Sequence, residues 1–228
     1  MQALSPRLEA VLEFCRSLHT PEGVLADIGT DHAYLPIEAV REGIFKGAIA
    51  CDLHPGPLNI AKANILEAGL KSQIETRLGD GLQPLSPGEA DCIVIAGMGG
   101  MRIWGVILEG MEQARAARQL ILQPQHDVVA LRKNLHMAGF EIHIERLVRE
   151  TVSNKEHFYV VLAARHAKNV ITWTEREYFL GKFLIKAGGN VFSAYKQREK
   201  EKITAYASQI SDSTVIQTIQ KRLKWLEE

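Results

Sequence analysis

The sequence predicts an α/β fold: a mostly parallel seven-stranded sheet covered by helices and ending in an antiparallel hairpin, followed by a separate helical element. Three observations carry this expectation. Between residues 23 and 138, five short apolar runs, most of them ending in an acid or a glycine, form β/α units with the helical segments between them. Two more strand-like segments then follow with only T-V-S-N-K-E between them, too short a link for a crossover helix, so they should pair as an antiparallel hairpin. From about Thr174 the pattern is helical throughout.

In chain order, residues 4 to 19 place Leu4, Leu8, Val11, Leu12 and Cys15 at helical spacing behind the start signal Ser5-Pro6. G-V-L-A-D-I-G (23 to 29) reads as the first strand, and a helix over 34 to 42 ends at Gly43. G-A-I-A-C-D-L (47 to 53) is the second strand; Pro57 then opens a helix that Gly69 closes. I-E-T-R-L-G-D-G (74 to 81) and A-D-C-I-V-I-A-G-M-G-G (90 to 100) are strands three and four, the latter leading into a helix over 101 to 116. Q-L-I-L-Q-P-Q (119 to 125) is strand five, with a helix over 127 to 138 stopped by Gly139. Residues 140 to 150 and 157 to 166 form the hairpin. Five β/α units closed by an antiparallel hairpin is the arrangement of class I (Rossmann-like) methyltransferases rather than of a dehydrogenase.

In the tail, Gly188-Gly189 separates helices over 174 to 187 and 191 to 210, and S-D-S (211 to 213) precedes a last helix over 214 to 226. Ile203, Tyr206, Ala207 and Ile210 are placed to face Val215, Ile216, Ile219, Leu223 and Leu226 across a tight turn, the pattern of a small antiparallel coiled coil. At 228 residues, the chain fits one α/β domain of about 150 residues plus this appendage.

Lysine plus arginine and aspartate plus glutamate both number 27, so the chain as a whole does not coat a polyanion by bulk charge. The charge is unevenly spread: residues 1 to 164 hold 15 basic and 20 acidic side chains, and residues 165 to 228 hold 12 and 7, which leaves the tail basic. No apolar run approaches the roughly 18 residues that span a bilayer, and the first ten residues lack a leader pattern, so a cytoplasmic protein with no membrane partner is expected. Cys15, Cys51 and Cys92 are odd in number, far apart and without a C-x-x-C, which predicts no disulfide framework and no metal; Cys51 and Cys92 sit in apolar runs and are expected to be buried thiols.

Ligands of open α/β sheets lie beyond the carboxyl ends of the strands. Those ends carry Asp27, Gly29 and Asp31, then Asp52, then Asp80 with Gly81, then A-G-M-G-G (96 to 100). A pyrophosphate wants several glycines and backbone N–H groups with little negative charge nearby. Asp31 would repel it, whereas a cationic nucleoside such as S-adenosylmethionine suits the loop. Asp52 can accept from both ribose hydroxyls, and Gly29 allows close backbone approach. Alternatives stay open for several of these residues. Asp27 either faces the ligand or braces a helix, and Asp31 faces it or caps the helix. His32 lines the site or is a surface residue, and Asp80 contacts a ligand or only marks a turn. The A-G-M-G-G loop offers backbone and close approach, with no acid, base or nucleophile. It lacks the D/N-P-P-Y/F string of enzymes that methylate an exocyclic amine. A ring nitrogen with its own lone pair needs chiefly alignment and exclusion of water.

The strings L-S-P-R-L (4 to 8), D-I-G-T-D-H-A-Y-L-P (27 to 36), G-D-G-L (79 to 82), I-A-G-M-G-G (95 to 100) and L-Q-P (122 to 124), with the helical tail, resemble the bacterial TrmK family over essentially the whole chain. The resemblance implies an S-adenosylmethionine-dependent methyltransferase domain over residues 1–167. It also implies a helical coiled-coil tRNA-binding domain over residues 168–228. The activity would be methylation at N1 of the adenine at position 22 of tRNA, in the D-arm region. It implies that Asp27, Gly29, Thr30, Asp31 and His32 line the cofactor, Asp52 and Leu53 hold ribose and adenine, Asp80 and Gly81 edge the adenine, and Ala96 and Gly97 close the pocket. Arg7 would reach either the methionine carboxylate or RNA phosphate, or is simply an exposed helix arginine. Catalysis is expected from an in-line arrangement in which Gly97, Met98 and Gly99 form the floor under the target adenine and Asp31 favours the developing cation; Gln123 is a lesser candidate for reading the base edge. RNA phosphate would be met by Arg102, Arg132 and Lys133, and on the tail by Lys182, Lys186, Lys196, Arg198, Lys200 and Lys202. The partner expected is tRNA, with the chain a monomer. Two rivals fit the strand pattern as well: a small-metabolite methyltransferase, and a non-catalytic RNA- or partner-binding protein on the same scaffold.

Overall fold

In a computed structural model of the chain, which describes residues 4–20, 22–207 and 210–228, β1 (Val24–Ile28) lies inside a seven-stranded sheet. It is joined there by β2 (Gly47–Asp52), β3 (Ile74–Leu78), β4 (Cys92–Met98), β5 (Gln119–Pro124), β6 (Phe140–Val152) and β7 (Lys155–His166). The order is β3-β2-β1-β4-β5-β7-β6, with the first five strands parallel and β7 inserted antiparallel between β5 and β6. The central strands are apolar over nearly their whole length because helices cover both faces, which leaves Leu25, Ala26, Val94, Ile95, Leu120, Ile121 and Leu122 without appreciable exposure.

The hairpin is longer and tighter than its sequence suggests. Both strands extend inward until only Ser153 and Asn154 remain as the turn, each with positive φ (48° and 60°). That is the two-residue turn whose twist matches a right-twisted ribbon. Lys155 and Glu156, polar enough to pass for a loop, are paired with Val152 and Thr151.

The helices of the first unit are α1 (Pro6–Leu18), α2 (Tyr34–Arg41), α3 (Pro55–Glu67), α4 (Gly100–Glu109), α5 (Met111–Ala116) and α6 (Val128–Met137). Ser5 caps α1 by accepting from Leu8 N–H, with Pro6 at the first helical position. Helix α1 buries Val11, Leu12, Phe14 and Cys15 and packs against β5, β6 and β7. Pro55 rather than Pro57 opens α3, and the single helix expected over 101 to 116 is divided at Gly110. All three cysteines are free and buried, and burial, the main cause, pushes the Cys51 thiol up to about 12, which keeps it protonated and inert.

The chain divides into two compact units, Met1–Ile171 and Thr172–Glu228. The second contains α7 (Glu175–Leu180), α8 (Lys182–Ala187), α9 (Gly189–Ala207) and α10 (Ser213–Glu227). Thr174 and Glu177 form a reciprocal capping box at the start of α7, and Gly181, at φ 93°, divides what the sequence suggests is one helix. α9 and α10 pack on each other, with Lys200 Nζ 2.9 Å from Glu227. Phe192, Ile219 and Leu226 are their buried side chains, whereas Tyr206, expected in the seam, is exposed.

Candidate active site

Strand order reverses at β1, which pairs with β2 on one side and β4 on the other. The crevice beyond such a reversal is where open α/β sheets bind ligands. Two adjoining cavities open there. One, of about 260 Å³, is lined by Arg7, Asp27, Gly29, Thr30, Asp31, His32, Ala96 and Gly97, joined by Tyr34, Gln123 and Gln125. The other, of about 200 Å³, is lined by Gly29, Asp52, Leu53, Asp80, Gly81 and Met98, joined by His54 and Arg102. Every residue expected to line the cofactor therefore borders one cavity or the other, and Gly29 borders both.

The turn after β1 explains the arrangement. Gly29 and Thr30 N–H groups both donate to Cys51 O at 2.9 Å, which ties the loop to the end of β2. Gly29 has φ +71°, a conformation that favours glycine, and a Cβ there would push aside the Met98 terminal methyl that lies on the end of β1. Met98 lines the second cavity and rests against Gly29, which borders both. Asp31 and Ala33 take left-handed conformations (φ 53° and 58°) that non-glycine residues adopt at a cost. Helix α2 begins at Tyr34 with Ala33 at its N-cap, so Asp31 is not the helix cap. Its N–H donates to Asp52 Oδ2 at 3.1 Å and its carboxylate stands 68% exposed at the rim. His32 lies 3.5 Å from that carboxylate and edge-on to Tyr34.

Two carboxylates are buried here. Asp52 is held from behind by two amides, Asp31 N–H at Oδ2 and His54 N–H at Oδ1 (2.9 Å). Asp27 accepts from Thr30 Oγ1 at 2.6 Å. Burial pushes the Asp27 carboxyl up to about 6, the Thr30 hydrogen bond pulls the other way, and the neighbouring Asp52 charge adds to the rise. Arg7, on α1, stacks on the Tyr159 ring at 5.4 Å and lies 3.9 Å from Glu150.

Gln123 is buried with both amide functions engaged: Oε1 accepts from Gly97 N–H and Nε2 donates to Pro124 O, each at 3.1 Å. It fixes the β4 loop from the wall of the first cavity. Gly99 borders neither cavity among the residues named for them. Among the cations expected to meet RNA, Arg102 is exposed at the mouth of the second cavity and Lys133 is half-buried on α6. Arg132 is a correction. It is fully buried, its Nε 2.7 Å from Glu145 Oε1, so it cannot reach a phosphate. On the tail, Lys186, Arg198 and Lys202 are exposed, and Lys182, Lys196 and Lys200 are half-buried. Lys200 meets Glu227, Lys202 meets Glu199, Arg198 lies 3.7 Å from Glu201, and Lys196 lies over the Phe192 ring.

Tyr34 and Gln125 at the first cavity and His54 at the second belong to no motif in the sequence, nor do His126 and Asp127, which follow Gln125. Their only signal was position, directly after a strand end or the loop that follows it. No group of three or more metal-ligating side chains occurs among the described residues, and no helix among them is long and apolar enough to cross a membrane.

Residues 25–228 match the TrmK family, tRNA (adenine(22)-N(1))-methyltransferase. The chain belongs to the TrmK family. Its identity to the tRNA (adenine(22)-N(1))-methyltransferase of Bacillus subtilis is 34% over 226 residues, 99% of this chain and 93% of that one. A Streptococcus pneumoniae protein solved in complex with S-adenosyl-L-methionine superimposes with a TM-score of 0.86 at 32% identity, covering 99% of this chain and 98% of that one. The TrmK of M. capricolum, solved with S-adenosyl-homocysteine, gives 0.80 at 28%, covering 99% and 97%. Membership in TrmK spans both compact units, since the match begins in β1 and runs to Glu228.

Proposed function

We propose that this chain methylates N1 of adenine 22 of tRNA with S-adenosylmethionine as donor, and that the double cavity at the end of β1 is the cofactor trench. The observation that carries this reading is the pair of buried carboxylates at adjoining strand ends. Asp27 and Asp52 are hydrogen-bonded by Thr30 and by two amides, and neither is in an ion pair among the described residues. An uncompensated buried negative charge is a site for a cation or for hydroxyl donors, and it repels a diphosphate. When bound, S-adenosylmethionine supplies an electrophilic methyl group beside a positive charge.

The chain's own residues divide the work. Asp52, its outer lone pairs free of the two amides, accepts from the ribose hydroxyls, while Leu53, Asp80 and Gly81 bracket the adenine ring. Asp27, Thr30 and Asp31 face the ammonium end, and Arg7 meets the methionine carboxylate, with His32, Ala96 and Gly97 closing that lobe. The target adenine is drawn out of the tRNA fold. Its N1 lone pair takes the methyl and the base becomes cationic, a charge that the exposed Asp31 carboxylate favours. Gly97, Met98 and Gly99 shape the floor beneath it. Residues 168–228 form the tRNA-binding element through Lys182, Lys186, Lys196, Arg198, Lys200 and Lys202; in the first unit Arg102 and Lys133 meet RNA phosphate. The protein works as a monomer in the cytoplasm.

The test is to incubate the purified chain with labelled S-adenosylmethionine and a tRNA transcript carrying adenine or guanine at position 22, then to map the label. Label as 1-methyladenosine at position 22 of the adenine transcript alone is the expected result. Label at another nucleoside, or transfer to neither transcript, would overturn the reading.

A further inference from the structure

Beyond β5 the chain runs Gln125-His126-Asp127 before α6 begins at Val128. This turn is fastened to the A-G-M-G-G loop on both sides of Gly99: Gln125 N–H donates to Met98 O at 2.8 Å, and Gly100 N–H donates to His126 O at 2.9 Å. Asp127 takes φ 58°, and its Oδ2 lies 2.8 Å from His126 Nδ1. A carboxylate can only accept, so Nδ1 carries the hydrogen and, in the neutral ring, Nε2 keeps its lone pair.

The free edge of that ring rests on Gly99. A Cβ at position 99 would collide with His126 Cε1 and lie 2.8 Å from Nε2. Gly99 itself has φ −63°, which any residue adopts, so its backbone does not call for glycine, and a side chain there would displace the exposed imidazole from its place beside the loop. The ring is not packing filler, since the side chain is 68% exposed. The ring follows directly on Gln125, which lines one cavity, and the same turn is bonded to Met98, which lines the other. An exposed imidazole with a fixed tautomer thus presents a hydrogen-bond acceptor beside the floor proposed for the target base.

We propose that His126, held by Asp127, is the residue that recognises the target adenine, its Nε2 accepting a hydrogen bond from the N6 amino group while N1 is left free for methylation. The proposal rests on the methyl-transfer reading above. Adenine offers a donor at N6 and a lone pair at N1, whereas guanine offers a carbonyl at position 6 and a hydrogen at N1. Guanine would set a lone pair against Nε2 and shield its own N1, so one side chain rejects it on the edge where the reaction occurs. Asp127 acts as a positioning residue: without its carboxylate the ring is free to turn or to take the other tautomer.

The test is a cycle between protein and substrate. Full-length tRNA carries at position 22 either adenine or purine, which has hydrogen in place of the amino group, and is given to the wild-type chain and to His126→Ala. Single-turnover rates and tRNA affinities are measured, with cofactor affinity followed by calorimetry. The wild type should lose activity on purine, in part because purine N1 is a weaker nucleophile. In His126→Ala that penalty should shrink by about tenfold, the size of one lost hydrogen bond to a desolvated partner, with cofactor affinity unchanged. Asp127→Asn should lie between the two. An equal purine penalty in both proteins, or full activity of His126→Ala on adenine-22 tRNA, would overturn the proposal while leaving the methyl-transfer reading intact. A wild-type chain that fails to methylate adenine-22 tRNA would overturn both.

Discussion

The two compact units place their charges in opposite ways. The first keeps its telling charges inside: Asp27 and Asp52 are buried at strand ends, and Arg132 is enclosed with Glu145. The second wears them outside, as exposed or half-exposed pairs such as Lys202 with Glu199 and Lys200 with Glu227. Buried charges in a low dielectric act one at a time and strongly, and solvated pairs act weakly and as a sum. Single residues should therefore decide stability and ligand binding in the sheet unit, whereas the helical unit should work by its accumulated positive charge.

That contrast can be broken at several points, and the largest effect is expected at the enclosed ion pair. Arg132→Ala leaves Glu145 buried without its guanidinium and should lower unfolding free energy by about 3–5 kcal/mol in urea titrations. Joint replacement by Arg132→Met and Glu145→Leu should cost far less. A small loss for the single variant would mean that the pair is not enclosed in solution.

Next comes Asp52. Replacement by alanine removes the acceptor proposed for the two ribose hydroxyls, and S-adenosylmethionine should bind about 100-fold more weakly by calorimetry.

Asp27 should give a smaller effect that is also pH-dependent. Its carboxyl is raised from the ordinary 3.8 to about 6, so in the free protein it is protonated below about 6 and charged above. Cofactor affinity should therefore strengthen as pH rises through about 6, and Asp27→Asn should abolish that change and bind about tenfold more weakly above it. The stability sign is opposite. The folded chain holds this proton where the unfolded chain has released it, so the stabilisation present below 3.8 is lost as pH rises through about 6. Asp27→Asn should thus gain on the wild type in denaturation midpoint between acid and neutral pH.

The smallest effect is expected on the tail. Replacing Lys186 or Lys202 alone should change tRNA affinity by less than about twofold, while wild-type affinity falls steeply with salt and the slope shrinks as several cations are removed together.

How much of this was legible in the sequence follows the same division between local and distant causes. The parallel strands and the rim acids could be read directly, because an apolar run ending in Asp27 or Asp52 states both burial and direction. The antiparallel hairpin was legible from the shortness of its link. Its true turn was not, because Ser153-Asn154 lacks the usual glycine and the flanking Lys155 and Glu156 look like loop. The divisions of helix at Gly110 and Gly181 were hidden because glycine alone does not say whether a helix tolerates it. Arg132 and Lys133 stand side by side in the sequence, and only Glu145, on a different element, decides which one turns inward. Gly99 was visible as a glycine, but the His126 ring that lies against it comes from another loop.

The central claim, that an acidic trench at the end of β1 takes a cationic nucleoside, is tested most directly by calorimetric titration of the ligand-free protein with S-adenosylmethionine and, separately, with a nicotinamide dinucleotide at neutral pH. One site that binds S-adenosylmethionine, is weakened by Asp52→Ala and shows no heat with the dinucleotide is the expected result. Binding of the dinucleotide, or wild-type affinity in Asp52→Ala, would contradict it.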